Sequence, residues 1–210
     1  MMRQLFRKTD KSLIPKLPRF TFEGKIVVVQ GESEAKRAVE VLKASPLLGI
    51  DTETRPAFKR GENHKVALLQ VCNEEICFLF RLNFTGLLPC IEDLLSNPKI
   101  LKVGLSLKDD FTMLHRREKA FRPAGFIDLQ DYVSSMGIED MSLQKLYANV
   151  FHKRISKNAR LSNWEADTLS DSQKVYAATD AYTCLQLYRE LKQLKESGEY
   201  EIVQPAEQSA

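Results

Sequence analysis

The sequence contains no apolar run near the roughly 20 residues that span a bilayer, so no membrane-crossing helix is expected. The N-terminal stretch, MMRQLFRKTDKSLIPKLPRF, has no apolar core and no small-residue cleavage site. A secretory signal is therefore not read there, and a cytoplasmic location is expected. Cysteine is scarce: Cys72, Cys77, Cys90 and Cys184 form no CxxC pair and have no histidine nearby at zinc-ligand spacing. They read as reduced, buried thiols rather than a metal or disulfide framework. Internal repeats and low-complexity blocks are also missing.

What remains is the balance of a globular domain, with 43% hydrophobic and 28% charged residues over 210 positions. That length supports one domain with a full core. The net charge of +3 permits nucleic-acid binding without requiring it. Its distribution is more telling, because bases gather in residues 1–25, 55–65 and 153–160. The expected organisation is an N-terminal arm over 1–22, one domain over 23–198, and a fraying polar tail over 199–210.

Periodicity predicts strands at 25–30, 47–53, 65–73, 75–82 and 100–107, the middle two joined as a hairpin. Helices are predicted at 33–44, with Ser33 as N-cap, and at 87–97, 108–117, 126–137 and 142–151. A last long helix begins at Ser170, where Ser170 and Gln173 spell a capping box. Strands crowd the first half and helices the second, which suggests a mixed α/β domain with a central sheet flanked by helices.

Three stretches carry chemistry. In GIDTE, Asp51 and Glu53 share one face of a strand end, where two bare carboxylates repel unless a cation lies between them. KDD, residues 108–110, opens a helix; acids there are favourable in any first turn, so spacing leaves open which aspartate matters. In QKVYAATDAY, Tyr176 and Asp180 stand at i and i+4 on one apolar stripe. A carboxylate among packing residues wants a cation or several donors. Together these hard oxygen ligands suit Mg²⁺ or Mn²⁺. Four carboxylates can share two such ions in phosphodiester cleavage.

The motifs Asp-x-Glu, a later Asp, and Tyr-x-x-x-Asp resemble those of the DEDDy 3′–5′ exonucleases. GIDTETRPAF, KVALLQVC, VGLSLKDDFTML, RLSNW and QKVYAATDAY occur in family order. They are most similar to the ribonuclease D branch and its Werner-type exonuclease domains. The resemblance implies a ribonuclease H-like fold whose mixed sheet begins with three antiparallel strands. It assigns the middle motif to Asp110 and leaves Asp109 to solvent or capping. It implies catalytic and metal-holding roles for Asp51, Glu53, Asp110 and Asp180, with two Mg²⁺ or Mn²⁺ ions, and a water-orienting role for Tyr176. The implied substrate is nucleic acid with a free 3′ end, DNA favoured and RNA open, and the product is a nucleoside 5′-monophosphate. Thr54, Arg55, Leu105, Phe111 and Arg160 are candidate substrate contacts, as are Lys59 and the connector bases Lys153, Arg154 and Lys157. Trp164 reads as a core anchor. Thr112 stands where the Werner-type domains carry an aromatic. The rival reading is a nucleic-acid-binding module with a degenerate nuclease site; five filled catalytic positions argue against it.

Overall fold

A computed structural model of the chain describes residues 2–204. Strand β3 (Leu47–Thr54), β4 (Val66–Cys72) and β5 (Ile76–Phe80) form an antiparallel meander. Strand β2 (Lys25–Val29) adds parallel to β5 at one edge, and β6 (Leu101–Gly104) and β7 (Phe126–Asp128) add parallel beyond β3. The six-stranded order is β2-β5-β4-β3-β6-β7. All seven residues of β4 are buried, as expected for a central strand covered on both faces.

Alternation along the strands divides two cores. Leu48, Ile50, Leu69, Val71, Phe78 and Phe80 pack on one face with helices α1 (Glu32–Lys43) and α3 (Pro89–Leu95). The short helix α2 (Leu82–Thr85) follows β5. On the other face, Leu68, Cys72, Cys77 and Leu79 meet Ala177, Ala178 and Ala181 of the long helix α7 (Asp171–Ser197). The alanines let α7 lie very close to the sheet. A Cβ placed on Gly49 would stand 2.1 Å from the Ala181 carbonyl oxygen, so only glycine fits beneath the helix there.

Helices α4 (Leu107–His115), α5 (Leu129–Ser134) and α6 (Leu143–Phe151) complete the domain. The helix predicted over 126–137 needs correction. Residues 126–128 instead form β7, aligned with Lys102–Gly104 of β6, and Asp128 caps α5 by accepting the Gln130 amide. Tertiary pairing overrides local pattern in so short a segment. Helix α1 starts at Glu32 after Gly31 rather than at a Ser33 cap, and Glu34 Oε2 accepts the Gln30 and Gly31 amides.

The chain ends are more ordered than the sequence suggests. Strand β1 (Arg3–Phe6) pairs in parallel with β8 (Tyr200–Val203). The fraying expected from residue 199 is thus corrected for 200–203; residues 205–210 lie outside the described residues. The rest of the arm is also tied down. Arg154 exchanges backbone hydrogen bonds with Pro18 and Phe20, and the Phe22 amide donates to Thr179 Oγ1 at 3.1 Å. Thr9 donates to Asp140 through its amide, at 2.8 Å, and through its hydroxyl. No described helix is long and apolar enough to cross a membrane.

Candidate active site

The site forms where α7 crosses β3. Asp51 and Glu53 project from the α7-facing side of β3, two and four residues beyond Gly49. A register shift between Glu53 and Thr54 ends the regular pairing, and bulges of this kind re-aim side chains at strand ends. Asp180 comes from the buried face of α7, three turns after the Ser170 cap. Ligand oxygens of Asp51, Glu53 and Asp180 lie within 4.8 Å of one another. The strand and the helix, far apart in sequence, thus build one three-carboxylate group.

Its electrostatics are unfavourable as it stands. Asp51 keeps some solvent exposure, yet protein atoms crowd its carboxylate. Desolvation, then Glu53, Asp180 and Asp110, push its pKa well above the usual range. Glu53 is pushed up to about 9 by burial and by Asp180 and Asp110, with Arg160 opposing. Asp180 rises to about 7 through burial, against the hydrogen bond from Tyr176 and the charge of Lys157. Its Oδ1 is buried without a hydrogen-bond partner. An orphaned buried oxygen among mutually repelling carboxylates is what a divalent cation would satisfy, and the donors are of the hard type such ions prefer. The chain's residues therefore fit a metal centre.

Asp110 stands apart from that trio. Its Oδ1 accepts the Thr52 hydroxyl, which fastens the first turn of α4 to β3. Burial raises its pKa to about 7, the Thr52 hydrogen bond opposes this, and Asp109 and Asp128 add repulsion. Asp109 itself is exposed. The turn ahead of Asp110 is unusual, because Ser106 has φ 62°, a conformation few non-glycine residues adopt. Asp128 holds it there. Its two oxygens accept the amides of Ser106 at 3.0 Å and Leu107 at 2.7 Å, besides that of Gln130 at 2.9 Å. One side chain thus caps both α4 and α5. Sequence reading missed Asp128; an acid flanked by a short β run and a helix was the available signal.

Tyr176 is 9% exposed, its ring 6.0 Å from that of Trp164. Burial, the Asp180 and Glu53 charges and a hydrogen bond to Asp180 raise the phenol pKa above its ordinary value, so the hydroxyl stays protonated. Trp164 is fully buried and anchors the connector, its Nε1 donating toward the Arg160 carbonyl. The capping-box residue Gln173 also donates to Ser162 Oγ and the Asn163 carbonyl. The connector and the first turn of α7 are therefore one unit. Beside them opens a cavity of about 640 Å³ lined by Arg19, Asn158, Ser162, Gln173 and Thr179. Tyr176 alone of the five predicted catalytic residues reaches its wall.

The candidate substrate residues divide. Arg160 and Lys157 are exposed, and their charges are felt by Glu53 and Asp180 respectively. Arg55 pairs with Glu165 of the connector at 3.4 Å, and His64 meets the same carboxylate at 3.1 Å. Thr54 is half-buried at the bulged end of β3. Leu105 packs against the core beneath α5 and α6. Phe111 is half-buried: its ring stands edge-on to Phe126 at 4.8 Å and packs against the core, and the residue also borders a surface cavity with Lys108, Thr112 and His115. Arg154 reaches the arm, its Nε donating to the Leu17 carbonyl at 3.0 Å. Lys153 lies over the Phe20 ring.

A second missed residue is Gln70. It pairs across strands with Asp51, which places both side chains on one face. It is fully buried, and neither amide atom has a partner.

Comparison with known proteins shows the family. A family model described as 3′–5′ exonuclease matches residues 26–196, most of the chain. The chain belongs to the 3′–5′ exonuclease family. The mouse bifunctional 3′–5′ exonuclease/ATP-dependent helicase WRN is 31% identical over 203 residues, covering 92% of this chain. This chain spans only 14% of that protein. An Arabidopsis thaliana 3′–5′ exonuclease is 29% identical, covering 86% of this chain and 68% of the relative. DNA polymerase I of Aquifex aeolicus is 28% identical over 79% of this chain and 27% of its own length. Among solved structures, the Aedes aegypti Nibbler EXO domain superposes with a TM-score of 0.76 at 19% identity, covering 85% of this chain and 94% of its own. Escherichia coli RNase D gives 0.73 at 19% identity, over 84% of this chain and 46% of its own. The fold is thus that of ribonuclease H-like exonucleases.

Proposed function

We propose that this chain hydrolyses the terminal phosphodiester bond at the 3′ end of a nucleic acid strand, releasing nucleoside 5′-monophosphates. The observation that carries the reading is the Asp51–Glu53–Asp180 group, with an orphaned oxygen and raised pKa values, next to a protonated Tyr176. Asp51, Glu53 and Asp180 would hold one Mg²⁺ or Mn²⁺ ion; Asp51 with Asp110 would hold a second. Such ions, when bound, neutralise charge on the phosphate and acidify water near it.

The chain's own residues do the rest. The Tyr176 hydroxyl, kept neutral, orients a water by hydrogen bonding and does not remove its proton. The water oxygen bonds to phosphorus as the bond to the 3′ oxygen breaks. The water passes one proton to solvent and the departing 3′ oxygen takes one up from solvent, so that the shortened strand and a 5′-monophosphate result. Arg160 and Lys157 face developing negative charge on the phosphate. DNA is the favoured substrate, supported by sequence relatives named as a WRN exonuclease/helicase and a DNA polymerase.

The test is a strand labelled at its 5′ end, offered as DNA and as RNA with Mg²⁺ or Mn²⁺. A ladder shortening from the 3′ end is expected, and Asp51→Ala or Asp180→Ala should abolish it. Absence of shortening with both metals on both nucleic acids would refute the reading. Tyr176→Phe should lower kcat by about 10²-fold, the usual scale of a lost positioning hydrogen bond, with metal affinity retained.

A further inference from the structure

Beyond Lys157 and Arg160, basic side chains lead away from the carboxylates in a way the catalytic chemistry does not use. Lys157, next to Asp180, is held below the usual lysine range by desolvation, then by Arg160, Lys11 and Lys145. Connector, α6 and arm are also tied to one another: Gln144 Nε2 donates to the Ile155 carbonyl at 2.9 Å and the Thr9 hydroxyl to the Lys145 carbonyl at 3.4 Å. Lys8, Lys11 and Lys145 then border a cavity of about 540 Å³ together with Arg7, Thr9, Asp10 and Glu139.

Two of the acids there are ion-paired and the third is hydrogen-bonded. Asp10 accepts the Ser12 amide and hydroxyl, Glu139 pairs with Arg7, and Asp140 pairs with Lys145 at 3.3 Å. Among the described residues, Lys8, Lys11, Lys157 and Arg160 have no ion-pair partner. Nor can the arm swing away to relieve them. Thr9 is tied to Asp140, and β1 is paired with β8. Four bases and two acids border the cavity, and an excess of like charge of this kind attracts a polyanion.

We propose that this track binds the single strand upstream of the scissile bond. Its phosphates run from Arg160 and Lys157 past Lys145 to Lys11 and Lys8. The assignment rests on the exonuclease reading. It adds that the N-terminal arm is part of the substrate surface, and that affinity grows with strand length. Contacts of this kind go to the backbone and carry no sequence preference.

Strand binding by fluorescence anisotropy tests it, in an Asp180→Asn background so that the strand is not consumed. Lys8→Ala/Lys11→Ala is compared with the parent on a trinucleotide and on an oligonucleotide of about 16 residues. Both lysines are exposed, so folding is not at risk. The double variant should bind the long strand about tenfold more weakly at low salt. The slope of log affinity against log salt should fall by about 1.4, from roughly 0.7 per phosphate contact on single strands. Trinucleotide affinity should change less than twofold, and Lys8→Arg/Lys11→Arg should restore the long strand. Unchanged long-strand affinity and slope, or equal losses on both lengths, would overturn the track. Failure of the wild-type chain to shorten any strand would instead refute the exonuclease reading, so the two failures are distinguishable.

Discussion

Removing a charge from the carboxylate group should stabilise the metal-free protein, although it destroys the site. Asp180 is 8% exposed, and burial raises its pKa from 3.8 to about 7. A folded-state pKa above the unfolded one means that the folded protein holds the proton more tightly. The resulting stability is fully present below the unfolded value and is lost as pH rises through about 7. About three pKa units at roughly 1.4 kcal/mol each give a penalty of about 4 kcal/mol above that pH. Asp180→Asn removes the charge, but its amide remains partly unpaired, which offsets about 1–3 kcal/mol. The metal-free variant should therefore exceed wild type by about 1–3 kcal/mol at pH 8. At roughly 2–4 °C per kcal/mol for a chain this long, that is a Tm several degrees higher. The gap should widen between pH 4 and 7 and stay level above. Calorimetry in EDTA across that range measures it, and Mn²⁺ titration should raise the Tm of wild type more than that of the variant. A metal-free variant no more stable than wild type at any pH would show that burial does not penalise the Asp180 charge as described.

Two further substitutions test the supporting structure. Gln70→Met replaces an amide with two unpartnered buried atoms by a side chain of similar volume. It should raise stability in urea unfolding by about 1–3 kcal/mol, and a loss of stability would mean that the amide is satisfied. Asp128→Ala removes the acceptor for three amides in two helix starts. It should cost about 1–2 kcal/mol for the α5 cap, with a comparable amount at Ser106 and Leu107, and should lower activity through a displaced Asp110. Full activity with normal stability would show that the Ser106 turn holds itself.

What the sequence revealed follows the range of the interactions involved. Tyr176, Asp180, Ser170 and Gln173 lie on one helix, and their spacing alone announces a shared face and a capped start. Asp51 and Glu53 were visible through strand alternation. Asp110 could be separated from Asp109 only through family resemblance; the structure then shows the Thr52 hydroxyl on Asp110. The features that escaped are made by distant partners. Strand β7 is three residues long and exists because β6 lies beside it. Strands β1 and β8 come from opposite ends of the chain. Gln70 looked like one polar residue in an apolar strand until register placed it opposite Asp51. Nothing local to Phe111 betrays its contact with Phe126.

Gly49 bears no charge and touches no reacting atom, yet the missing side chain sets how closely α7 can lie on β3. For the ion that the proposed function puts between the two elements, that clearance would act as a caliper. Mg²⁺ takes oxygen ligands at about 2.0–2.1 Å, whereas Ca²⁺ takes them at about 2.3–2.6 Å. A methyl group at Gly49 would lift Asp180 away from Asp51 and Glu53 and bias the site toward the larger ion. The choice of metal would thus be written partly in steric terms, at a position that no inventory of ligands would include.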